Sequence, residues 1–124
     1  MALSYQIYEK QTYALIVGSG MLTMSSMIEV VERAVEDPRF SSSYTIVVDL
    51  RNAEYQARLN DGDEFVAALK RRQEDIKGKF ALVVPEQFHF LGRLYTVLAS
   101  VGGIERMQCF TVLEEALEWC GLSK

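Results

Sequence analysis

Apolar and polar positions alternate with two different periods along this chain. "SYQIYEKQTYALIVG" carries two β-rich runs on either side of Glu9-Lys10-Gln11, the pattern of a hairpin. "GSGMLT" leads from the second run into "MSSMIEVVERAVEDPRF". There Met24, Ile28, Val31 and Val35 recur at helical spacing, and Pro38 marks the end. "SSSYTIVVDL" reads as a loop and a third strand, followed by a polar connection from Arg51 to Asn60. Asp61 is placed to cap a second helix, with Glu64 as the reciprocal partner of a capping box. That helix is expected to bury Phe65 and Leu69, with Ile76 a further core candidate. Lys70, Arg71 and Arg72 fall in its later turns, where cations suit the negative end of the helix dipole and solvent.

"GKFALVVP" is a fourth strand, too continuously apolar to have a solvent-facing side. "EQFHFLGRLYTVLASVGG" reads as a third helix stopped by Gly102-Gly103, and "RMQCFTV" as a fifth strand. "TVLEEALEWCGL" closes the pattern as a helix, with Thr111 and Glu114 as a capping box and Gly121 as its stop. The order β-β-α-β-α-β-α-β-α predicts an α/β layer structure. Its sheet is five-stranded and mostly parallel, with one antiparallel element from the N-terminal hairpin, beside four helices. With 124 residues and neither repeat nor linker, a single domain over 1-124 is expected.

Composition narrows the function classes. A hydrophobic fraction of 49% provides for a packed core. The net charge of -4, without a dominant basic tract, argues against backbone-driven nucleic-acid binding. No apolar stretch approaches the ~20 residues a bilayer span needs, so no membrane insertion is expected. The opening "MALSYQIYEKQ" lacks the basic and apolar regions of a secretory signal, which predicts a cytoplasmic protein with Cys109 and Cys120 as reduced thiols. One histidine and no CxxC leave almost no ligands for zinc, so neither metal nor cofactor is expected.

Candidate chemistry is sparse. "GSG" at residues 18 to 20 precedes a helix, as in a dinucleotide loop. Thr23 stands where the third glycine belongs, and Asp49 lies too far on for the ribose-binding acid. A turn using glycine for its backbone freedom is the simpler reading. His89, with Arg93 one turn later, is placed to form an acid/base pair with Asp49 or Asp61, since strand C-termini and helix N-termini converge on one edge. No Ser-His-Asp or Cys-His arrangement accompanies it, so no catalytic residue is assigned. Asp49 also suits a structural role, holding backbone N–H groups of its own loop. The connection from Tyr55 to Asn60 is long for a β-α loop. Tyr55, Arg58 and Asn60, together with Arg51, Asp49, His89 and Arg93, form the expected ligand- or partner-binding set.

Taken in order, "GMLTMSSMIEVV", "IVVDL", "FALVVP", "FLGRLYTVLASVGGIERMQCF" and "FTVLEEALEW" resemble the STAS family, and most closely the small stand-alone SpoIIAA-like proteins. The resemblance covers nearly the whole chain and implies a non-catalytic regulatory domain that contacts a partner protein or small ligand. A classical antagonist of this family carries Asp-Ser-Ser-Gly after its third strand, with a serine phosphorylated by a partner kinase. Those positions fall here on Ala57, Arg58, Leu59 and Asn60, and no Ser or Thr occurs between Thr45 and Thr96. The phosphorylation switch therefore has no hydroxyl acceptor. Related CRAL-TRIO domains bind lipids, which makes a carrier or sensor of a small apolar ligand the alternative, in keeping with the aromatic and Met content.

On a helical wheel, His89, Arg93, Thr96 and Ser100 form a narrow polar stripe on the third helix. The opposite apolar arc is wider than a core contact needs. If Gly92 and Ala99 mark the side nearest the sheet, Phe90, Val97 and Val101 are left at the rim as a possible homodimer surface.

Overall fold

Chain order is also sheet order. The computed structural model describes residues 2–122, in which β1 (Ala2–Tyr8), β2 (Tyr13–Leu22), β3 (Thr45–Tyr55), β4 (Phe80–Val83) and β5 (Met107–Phe110) lie side by side in sequence. β1 and β2 are antiparallel and the other pairings are parallel, so the expected hairpin and mixed sheet are present. Each parallel crossover steps the same way across the sheet. Right-handed connections therefore bring α1 (Met24–Glu36), α2 (Asp61–Arg72) and α3 (His89–Val101) to one face. α4 (Leu113–Trp119) covers the other face, where Ala116 packs with Val47, Ala81 and Val83. The unbroken apolar run of β4 follows, because helices bury both of its faces.

The two central strands run further than their sequence suggests. "GSG" is not a turn: β2 continues through it to Leu22. A Cβ on Gly18 would come within 2.8–2.9 Å of Leu22, Leu3 and Leu50, so close packing requires glycine there. Likewise β3 does not end at Leu50 but continues to Tyr55, and the loop shrinks to Gln56–Asn60. Val17 pairs with Asp49 and Ser19 with Asn52, so two steps along β2 match three along β3. This bulge shifts the in-out phase of β3. Leu50 and Ala53 thereby bury toward the same three-helix face.

Helix ends also differ from expectation. α1 is capped by Thr23, whose side chain accepts from Ser26 N–H while the Ser26 hydroxyl returns to the Thr23 backbone. Of the expected stripe, Met24 is buried and Val31 and Val35 pack half-buried against the core, while Val30 and Ala34 are buried beside them against β1 and β2. The Asp61–Glu64 capping box does not form. Asn60 is the N-cap, and the Asp61 carboxylate turns inward to other donors. Nor do Thr111 and Glu114 cap α4, which begins after Val112. Ile76 is buried, but beyond the end of α2.

α1 and α2 are tied together by the basic cluster. Arg72 donates through Nε to Glu32 (3.1 Å), through one terminal nitrogen to Asp75 (3.4 Å) and through the other to Glu36. Arg71 adds a second bond to Glu32 (3.2 Å). Burial alone would raise the Glu32 carboxyl. The two guanidinium groups outweigh it and hold the carboxyl below its ordinary range.

Candidate functional site

α1 rests on β1 and β2, and α3 rests on β5. α2 instead is held by its neighbours α1 and α3, raised over the middle of the sheet. Beneath it lies a cavity of about 130 Å³. Val48, Leu50, Phe80 and Leu82 line its sheet side, and Met27, Val31, Phe65, Leu69 and Leu91 reach it from the helices. Small residues at Ala53 and Ala68 leave room where larger side chains would meet, while Gly92 borders the cavity because a Cβ there would collide with Cys109 Sγ. Its walls are carbon almost throughout, so water inside would lack the two to four polar partners it needs.

One end of this cavity is bordered by a hydrogen-bonded trio from three elements. Tyr55 of β3 donates its hydroxyl proton to Asp61, the first residue of α2, and lies 3.2 Å from the hydroxyl of Tyr95 on α3. The same Asp61 oxygen accepts the backbone N–H of Arg58 at 2.8 Å. Only 3% of Asp61 is exposed and no cation pairs with it among the described residues. These two donors and the N-terminus of α2 hold its charge instead. Burial, reinforced by the bond to Asp61, pushes the Tyr55 hydroxyl well above its ordinary range and keeps it protonated. The Tyr95 ring stands edge-on to Phe65, with centroids 4.9 Å apart, which fixes it against the roof.

The residues singled out in the sequence are dispersed rather than assembled. Asp49 faces the α4 side, where it binds Arg51 through both carboxylate oxygens (2.9 Å each) and accepts its backbone N–H (3.2 Å). It therefore serves its own strand. Arg58 and Asn60 lie in a more polar depression between the N-termini of α1 and α2. His89 and Arg93 begin α3, and among the described residues no hydrogen bond or ion pair joins His89 to Asp49 or Asp61. The acid/base pairing is not assembled, because each carboxylate is engaged elsewhere. Of the expected set, only Tyr55 borders the cavity. Cys109 and Cys120 are unpaired, and burial pushes each thiol up to about 11.

Sequence reading missed Ala53, Ala68 and Tyr95, because an apolar or aromatic residue lining a void has the same pattern as one filling a core. No protein-family profile matches this chain, and no curated protein is significantly similar to it. Among the described residues no helix is long and apolar enough to cross a membrane.

Proposed function

We propose that this chain is a non-catalytic binding domain of the SpoIIAA-like (STAS) type whose ligand is a small apolar molecule held between the sheet and its three helices. The observation that carries this reading is the carbon-walled cavity of about 130 Å³ under α2. An apolar cavity of about 150 Å³ in another protein stays dry and binds benzene, so a ligand of that size suits this one. The strand and helix order expected of a STAS domain and the absence of a phosphorylatable loop hydroxyl agree with a binding role. Toluene is the simplest probe. Titration calorimetry and thermal unfolding should show saturable binding to the wild type and a higher Tm. The stabilisation approaches about 2.7 kcal/mol at a hundredfold excess over Kd. Absence of both signals at saturating toluene refutes the proposal.

A second reading rests on a different surface. Phe90 is 83% exposed, Leu94 46%, Val97 63% and Val101 62%, at steps of four, three and four residues along α3. Gly92 and Ala99 are the residues turned toward the sheet, leaving the others as an outward apolar row. We propose a second copy of the chain as its partner, since burying each such side chain contributes roughly 1.5–3 kcal/mol. Light scattering on the eluting protein should report a dimer for the wild type and a monomer of unchanged stability for Phe90→Glu. A monomeric wild type ends this reading.

A further inference from the structure

We propose that the cavity selects uncharged apolar ligands and rejects those carrying a carboxylate, an inference that rests on the binding role proposed above. A buried anion needs hydrogen-bond donors or a free cation, and around this cavity the tyrosine protons are committed and the one lining cation already faces three carboxylates. The two hydroxyl groups at its end are already committed. Tyr55 has one proton, which it gives to Asp61, so in the 3.2 Å contact between the tyrosines Tyr95 is the donor. Both protons are thus used within the trio, and what remains toward a ligand is oxygen lone pairs beside the Asp61 carboxylate.

Charge also meets the cavity through Glu32 and Arg72 at its edge; Glu54 borders it too and adds no cation. Arg72 is no free cation either. Each of its three guanidinium nitrogens already faces a carboxylate, those of Glu32, Asp75 and Glu36. Arg71 points to Glu32 as well. A ligand carboxylate placed at this edge would find only the second N–H of each terminal nitrogen and would meet the like charge of Glu32, Glu36 and Asp75 on arrival. An alkyl or aromatic ligand without an acid group meets only the carbon walls.

Toluene and benzoate test this directly, because both present one aromatic ring and differ in charge at neutral pH. Competition NMR against the wild type should give a benzoate affinity about a hundredfold or more below that of toluene. Glu32→Gln removes the negative charge that faces Arg72 Nε and Arg71, so the toluene-to-benzoate ratio should fall about tenfold in that variant. Equal affinity for the two probes overturns the selectivity while leaving the binding role intact. A ratio unchanged in Glu32→Gln overturns the part assigned to the charged edge. If neither probe binds, the cavity is no ligand site and both proposals fall together.

Discussion

Ala68→Leu is expected to abolish toluene binding and, in the same protein, to raise thermal stability. Ala68 is buried in the middle of α2 with its methyl group on the cavity. Leucine is nearly as good a helix former as alanine, so the helix itself loses little. The added isobutyl group enters empty, carbon-walled space and supplies the contacts a ligand would otherwise make. Filling such a void should contribute about 1–2 kcal/mol, the reverse of the cost of creating one. Where space is lacking, the same change would instead cost about 1–3 kcal/mol through overpacking. Calorimetry on the variant therefore reads two signs at once. Ala67→Leu, one residue earlier and exposed, is the control and should leave both quantities near those of the wild type. A stable Ala68→Leu that still binds toluene as well as the wild type would move the ligand elsewhere. A destabilised variant would mean that the space under α2 is already filled.

Asp61→Ala should be among the most damaging single substitutions, costing about 3 kcal/mol in denaturant unfolding. The carboxylate receives the Tyr55 hydroxyl and the Arg58 backbone N–H, joining β3, the loop and the start of α2. Its removal takes the partner from the Arg58 N–H and leaves the half-buried Tyr55 hydroxyl only its 3.2 Å contact with Tyr95. Tyr55→Phe removes the bond to Asp61 and the acceptor of the Tyr95 hydroxyl, and should cost about 1–2 kcal/mol. The two changes share an interaction, so the double variant should lose less than the sum of the single losses. Asp61→Asn keeps an acceptor and should fall between wild type and alanine. A loss below about 0.5 kcal/mol for Asp61→Ala, the range of ordinary surface changes, would show that the trio does not hold the loop.

How far the chain could be read in advance depended on the range of the forces concerned. α1, α3 and α4 announce themselves because a helix repeats every few residues, and Met24 to Val35 or Phe88 to Val101 show that period locally. β4 is legible for a similar reason, since "FALVVP" has no polar side to turn outward. The outward row of Phe90, Val97 and Val101 follows from the same wheel once Gly92 and Ala99 are set against the sheet. The length of β3 is not local. "RNAEYQ" is polar and reads as loop, yet it extends because Ser19 to Leu22 of β2 offers it a strand to pair with.

Asp61 shows the same limit. By sequence it is a helix cap, but a tyrosine six residues earlier reaches the same place, backed by Tyr95 of α3, and the carboxylate turns in to accept the Tyr55 proton. The cavity lies furthest beyond local reading. Its walls are leucine, valine, methionine and phenylalanine, the residues of any core, and hydrophobic period records only that they point inward. Whether inward-pointing side chains meet or leave a gap is decided by the spacing of helices over the sheet. Composition and periodicity alone determined the α/β order of this protein and its apolar α3 row. The space under α2, and the hydrogen bonds at its borders, arise only when α1 and α3 hold that helix off the strands below.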